Sequence, residues 1–354
     1  MSATGAARRG TARAAPLGRG AGARYWREQL DPYAKPDTRR ASLCLATSVV
    51  PYLALSAALY LLLPDSWLAL VLAVPAAAFL VRSFVVFHDC SHGSFLPSRR
   101  ANLWVGRSIG LLLYSPFHRW RHDHAVHHAT AGDLDRRGTG DLHTLTVGEY
   151  GALAPKARLG YRLRRNPLIM FGLGPIVAMM IGPRLVAKGA RPRMRRSVIA
   201  TDGALLVLVG LLVWLIGWRD YLLVLGLPAL LAGSIGIWLF YVQHQFEDAY
   251  WADGESWSFA DAALLGSSFL DLPPVLRFCT GNIGYHHVHH LNASIPNYNL
   301  RRAHDLTPAL HEVPRLSLTD GIRATRLKLY DPRRGRLVSF RDARASVATR
   351  LRED

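Results

Sequence analysis

Nine histidines in this chain stand at spacings that suit metal binding. His88 and His92 are four residues apart. His124, His127 and His128 follow an i, i+3, i+4 pattern, which His286, His289 and His290 repeat, and His244 stands alone at the end of an apolar run. On a helix turning about 100° per residue, each triple falls within about 100° on one face. Imidazole is the commonest side-chain metal ligand and the usual proton shuttle. Fifteen histidines scattered at random would rarely cluster in this way. Eight or nine imidazoles exceed what one tetrahedral zinc can use, and they suit two metal ions. Imidazole serves zinc, copper, iron and nickel alike, so ligand type alone selects none of them. His118, His122, His143, His304 and His311 read as ordinary surface or core histidines, although His118 and His122 form a competing i, i+4 pair. His287 lies about 60° beyond His290 on the helical wheel and is a candidate neighbour of the ligands.

Ligating imidazoles need partners that fix their orientation. Asp89, Asp133, Asp135 and Asp141 are candidates. The competing reading of the last three is loop turns and pairing with Arg136 and Arg137. Asn282 is either a polar neighbour of the metal or a turn residue after Gly281, with the turn favoured.

These clusters must be positioned by membrane helices. Half of the 354 residues are hydrophobic and the mean hydropathy is +0.10, although 43 residues are Lys or Arg. Long apolar runs joined by basic loops reconcile those facts. The net charge of +18 is spread over the loops, where it suits anionic lipid head groups. No nucleic-acid recognition module is visible, so no nucleic-acid partner is expected. Cys44, Cys90 and Cys279 form no pair at disulfide- or metal-type spacing. Spans are expected at about 42–63, 67–87, 197–217 and 221–243, forming two hairpins with tight turns at 64–66 and 218–220. The segment 99–196 carries eighteen Lys and Arg, whereas the two turns carry only Arg219. The positive-inside rule therefore places the histidine clusters and both termini in the cytoplasm, on a multi-pass protein of the cell inner membrane. Residues 167–182 are short and broken by Gly172, Gly174 and Pro175, which favours a re-entrant or interfacial segment over a fifth span. A single metal site shared by all the clusters requires that even number of crossings.

The expected fold is an all-α integral membrane protein, with four transmembrane helices in two hairpins, interfacial helices and a cytoplasmic histidine-rich cap. Residues 1–40 read as a disordered and interfacial segment without a secretory signal. Residues 41–330 form the membrane domain and 331–354 a basic tail. A metal site at the lipid boundary of an apolar bundle suggests oxidation of a lipid tail. An unactivated C–H bond needs a redox metal and O₂.

Taken together, His88-Asp-Cys-Ser-His92, His124-Ala-Val-His127-His128 and His286-His-Val-His289-His290 resemble the three histidine boxes of membrane fatty acid desaturases, over roughly residues 40–330. The runs 132–141 and 295–300 further resemble bacterial acyl-lipid desaturases of the delta-12/omega-6 type. The resemblance implies that the box histidines ligate two iron ions, with His244 completing the set. It implies O₂ as co-substrate, a membrane-lipid acyl chain as substrate and a cis double bond as product. It also implies ferredoxin, with its reductase, as electron donor. His286 stands where front-end desaturases carry Gln, and no H-P-G-G motif is present, so the donor is expected to be a separate protein. The four-residue spacing of the first box departs from the five of stearoyl-type enzymes and argues against an acyl-CoA delta-9 enzyme. A lipid or carotenoid hydroxylase or ketolase would use similar boxes. A histidine-rich metal transporter is a further alternative, but it would place its histidines within the spans rather than just beyond their ends.

Overall fold

A computed structural model describes residues 22–186 and 189–344. The expected N-terminal tail therefore lies outside the described residues up to position 21, as does the C-terminal stretch from 345.

Four helices are long and apolar enough to cross a membrane: Thr38–Leu62, Trp67–His92, Pro192–Ile216 and Trp218–His244. Each begins and ends where the sequence supplies a stop. Asp37 caps the first span by accepting from Arg40 N at 2.8 Å. Ser66 accepts from Leu68 N and starts the second span. Gly93, at φ +75°, ends the second span just after His92, in the left-handed conformation that favours glycine. Gly217, at φ +82°, makes the second hairpin turn. The second and fourth spans run further than the apolar runs predict. The second continues to His92 and carries His88 and His92 on that extension, while the fourth starts earlier, at Trp218, and ends on His244.

The spans are unequal. Over its most apolar stretch the second span is 56% buried, against 6% for the third, whose Leu206, Val207 and Trp214 are exposed. The second span is thus the hub and the third is exposed along most of its length. Ala76, Leu80, Val85, Val86 and Phe87 of the hub share one hydrophobic core with Phe117, Leu239, Val242, Val288 and Leu300, so membrane bundle and cap are not separately packed.

Residues 155–184 form a helix, Pro155–Arg164, and a second helical piece, Ile169–Arg184, bent by 61° from the first. The second piece, with its short π-type turns at Ile169–Leu173 and Ile176–Ile181, packs on the fourth span. Gly233 permits that approach, because a Cβ there would stand 2.7 Å from the Pro175 ring. The opposite side, with Leu168, Leu173 and Val177, is exposed.

The rest is cap. The helices Arg99–Leu112, Phe117–Thr130, His286–Leu291 and Asn297–Asp305 surround the polar ends of the spans. Two small sheets tie distant segments together. Leu145–Thr146 pairs in parallel with Leu329–Asp331, which pairs antiparallel with Arg336–Val338, and Phe269–Leu270 pairs with Arg315–Leu316. Two expectations change. The stretch Ala23–Leu30 is a helix that packs into the protein: Trp26 is 2% exposed and Leu30 is fully buried in the main core. Residues 331–344 are not a loose tail, because Leu337, Val338 and Ala343 are buried.

Candidate metal centre

His88 and His92 ride one turn apart on the extension of the second span. The Asp89 carboxylate between them is buried. Its Oδ1 accepts from His88 Nδ1 at 3.0 Å, while its Oδ2 accepts from Asn297 N at 2.6 Å and Asn297 Nδ2 at 2.8 Å. The Nε2 atoms of His88 and His92 are buried and meet no partner among the described residues.

The helix Phe117–Thr130 delivers His124, His127 and His128. Trp120 stacks on His124, with 4.4 Å between ring centroids and 25° between planes. Asp141 returns from the following loop to accept from His127 Nδ1. Gly140 makes that return possible. It sits at φ +74°, and a Cβ on it would stand 2.4 Å from Asp123 O.

His244 closes the fourth span. Its Nδ1 donates to Gly266 O at 3.1 Å. His286, His289 and His290 lie on the short helix His286–Leu291, which is buried throughout.

All nine histidines converge, in two groups. His88, His92, His124, His128 and His289 form one; His127, His244, His286 and His290 form the other. Within each group the donor atoms lie within 4.8 Å of one another. His128 Nε2 stands 3.1 Å from His124 Nε2 and 2.9 Å from His289 Nε2. His286 Nε2 stands 3.0 Å from His244 Nε2 and 3.1 Å from His290 Nε2. Ligands about 2 Å from a shared ion and near a right angle to one another show such spacings. The partition cuts across the boxes. His124 and His128 serve the first group while His127 serves the second. His286 and His290 serve the second while His289 serves the first.

Lone pairs show the fit to a metal most directly. The Nδ1 atoms of His127 and His244 are engaged by Asp141 and Gly266 O, so in neutral rings both Nε2 atoms carry lone pairs. Yet those atoms face each other at 3.2 Å. Two lone pairs cannot hydrogen-bond, and a cation between them turns the repulsion into attraction. Burial and the surrounding imidazoles push His124, His128, His286, His289 and His290 well below the ordinary histidine range, so these rings are neutral and their lone pairs are available.

Other residues singled out in the sequence lie elsewhere. Asp135 is exposed and accepts from Gly254 N at 2.8 Å, away from every histidine of the two groups. Asp133 is buried, but its carboxylate holds the loop, accepting from Asp135 N, Arg136 N and Arg136 Nε. Asn282 adopts φ +61° and donates to Asn297 O, which makes it a turn residue. His287 points away from the centre, with Nε2 3.0 Å from His304 Nδ1. His118 lies beside Arg107, and burial together with Arg193, Arg107 and Arg121 lowers its pKa to about 4. His122 is exposed on Asp123. The residue that sequence reasoning missed is Asn297, the second support of Asp89. Its only signal was its place in the run 295–300.

Comparison with known proteins agrees with this geometry. A sequence profile described as "Fatty acid desaturase" matches residues 65–318. A "Fatty acid desaturase" of Bacillus subtilis is 44% identical over 315 residues, covering 89% of this chain and 90% of the other. An "sn-1 acyl-lipid omega-3 desaturase (ferredoxin)" of Synechocystis is 29% identical over 246 residues, 66% of each chain. An "sn-1 oleoyl-lipid 12-desaturase" of the same organism is 29% identical over 271 residues, 74% of this chain and 73% of the other.

Proposed function

Because the chain belongs to the fatty acid desaturase family, we propose that its nine clustered histidines hold two iron ions and that it desaturates acyl chains of membrane lipids with O₂. As a membrane oxidoreductase of the acyl-lipid type, it takes two hydrogens from adjacent carbons of a chain, leaving a cis double bond. The balance is one O₂, two electrons and two protons consumed, and two waters formed. The double bond lies at the delta-12/omega-6 position. The runs 132–141 and 295–300 and the similarity to the oleoyl-lipid 12-desaturase support that choice. Electrons come from a separate ferredoxin and its reductase, a choice supported by the similarity to the Synechocystis omega-3 desaturase, which is named for ferredoxin.

The observation that carries the metal reading is the pair of opposed lone pairs on His127 and His244. Iron, when bound, supplies the reductive activation of O₂ that an unactivated C–H bond requires. The chain's own residues hold it and tune it. Asp89, Asp141 and Gly266 O fix three ring orientations, leaving Nε2 to the metal. Val288 and Leu300 are buried in the same core as the second span and back the rings with apolar packing. The clusters and both termini face the cytoplasm of the inner membrane, a reading supported by the Arg-rich segment 99–196. The catalytic unit is the membrane domain of residues 41–330.

The test is fatty-acid analysis of cells expressing the full chain, together with iron determination on the purified protein. New diene chains and two irons per chain are expected. Hydroxy acids or ketocarotenoids in place of new double bonds would sink the reading.

A further inference from the structure

Outside the histidine cluster, the chain buries two cations side by side. Arg165 is 4% exposed. Its Nη2 donates to Gln245 Oε1 at 2.7 Å, but its Nε and Nη1 meet no partner among the described residues. Its guanidinium lies 5.2 Å over the Tyr241 ring. Lys328 is 5% exposed, its ammonium likewise lacks a partner among the described residues, and it lies 5.3 Å from the same ring. Tyr161 locks the site from below by donating to Lys328 O at 2.7 Å. No carboxylate pairs with either cation among the described residues. Burial and the neighbouring guanidinium lower the Lys328 pKa to about 7. Aromatic faces and one amide offset only part of the desolvation of the Arg165 charge, and Lys328 responds by titrating near neutrality. The arrangement lacks an anion.

Position says which kind of anion. Arg165 lines a recess of about 170 Å³ whose walls include Asp141, Leu142, Tyr161 and Met170. Asp141 and Leu142 also line the slot beside His244 and Phe240, so the recess opens next to the metal centre. The Asp141 carboxylate is engaged by His127. Gln245, which holds Arg165, directly follows His244. On its other side the recess meets Met170, at the start of the apolar piece whose Leu168, Leu173 and Val177 are exposed. Free phosphate would satisfy the cations but has no use for the exposed apolar surface that begins beside the recess at Leu168. A lipid with a charged head and apolar tails fits both.

We propose that this recess seats the phosphate of a phospholipid substrate's head group, with Arg165 as its cationic contact and Lys328 adding charge behind it. The proposal rests on the acyl-lipid desaturase reading and narrows its substrate class to phospholipids rather than uncharged glycolipids. Retention of lipids by the full-length, iron-loaded protein in neutral detergent tests it by native mass spectrometry. Phosphatidylglycerol and monogalactosyldiacylglycerol of matched chains are offered together, with inorganic phosphate as a separate probe. Wild type retains the phospholipid roughly tenfold better, the preference expected of a charge-assisted contact. Arg165→Gln and Lys328→Gln each reduce that preference several-fold, Arg165→Lys keeps part of it, and iron content stays at the wild-type level in all three. Equal retention of both lipids overturns the proposal, as does an unchanged preference in Arg165→Gln and Lys328→Gln. Phosphate binding without any lipid preference overturns it too, and reassigns the recess to free anions. Lipid desaturation by wild type is assayed in parallel. Desaturation without head-group preference removes this proposal alone, whereas preference without desaturation of any lipid removes the enzymatic reading instead.

Discussion

His127 Nε2 and His244 Nε2 face each other at 3.2 Å across 117 residues of sequence, each with its Nδ1 proton given to a fixed acceptor. The contact is repulsive between neutral rings and attractive around a cation. Replacing either ring should therefore lower metal content before it disturbs the fold. His127→Ala and His244→Ala are expected to bring iron from two per chain to about one and to abolish desaturation, with the helical circular dichroism unchanged. Undiminished iron content in both variants would exclude the pair as ligands.

The crossed partition of the boxes makes a sharper claim. His289→Ala removes a ring from the five-histidine group and His286→Ala one from the four-histidine group, although the two lie only three positions apart. The iron that remains in each variant should have a different Mössbauer signature. Identical spectra would mean that the two residues serve the same ion.

Three aspartates can be ranked by what they touch. Asp89 and Asp141 each hold a ligating ring, and loss of such a support weakens metal affinity about 10–100-fold. Asp89→Asn and Asp141→Asn should lose iron faster to a chelator by that order. Asp135→Asn, whose carboxylate holds only Gly254 N, should release iron at the wild-type rate.

Gly140 bears on Asp141 through the backbone. Alanine there must hold φ +74°, costing about 1–2 kcal/mol, and must also clear Asp123 O. Gly140→Ala is expected to lower both Tm and iron affinity, whereas Gly138→Ala, at φ +117° but with no atom within 4 Å, should lower Tm alone.

Lys328 provides a pH test. Its folded pKa of about 7 lies below the ordinary value of 10.5. Between those values the unfolded chain holds a proton that the folded chain has lost, so stability rises with pH across that window. Below about 7 both states are protonated and the full destabilisation is present. Melting curves should therefore show wild type gaining on Lys328→Met between pH 7 and pH 10. A constant difference would place the ammonium in contact with water.

The histidines, the spans and the membrane class were legible because each rests on local spacing or on a run of about twenty apolar residues. What escaped depended on closure over long separations. A helical wheel places His124, His127 and His128 on one face, and they do share it. Their division between two groups follows from where His289 and His244 arrive, which no wheel contains. Asp135 and Asp141 sit in one loop with the same chemistry. Only the backbone turn at Gly140 decides which of them reaches a ring. Residues 1–40 carry no long apolar run, yet Trp26 and Leu30 reach the core shared by bundle and cap, a contact only the fold reveals. Arg165 and Lys328 are 163 positions apart and carry no motif, so their shared ring at Tyr241 could emerge only from the fold.

The crossed allocation of the second and third boxes has a consequence for assembly. Each box gives an i, i+4 pair to one group and its remaining histidine to the other, so with both groups filled the helices Phe117–Thr130 and His286–Leu291 would be stitched together twice, in opposite senses. Capture of the first ion must draw both helices to their final separation, which sets the three or more donors of the other position in place. Loading should then be cooperative, with the half-filled protein a minor species during titration of the apoprotein with ferrous ion.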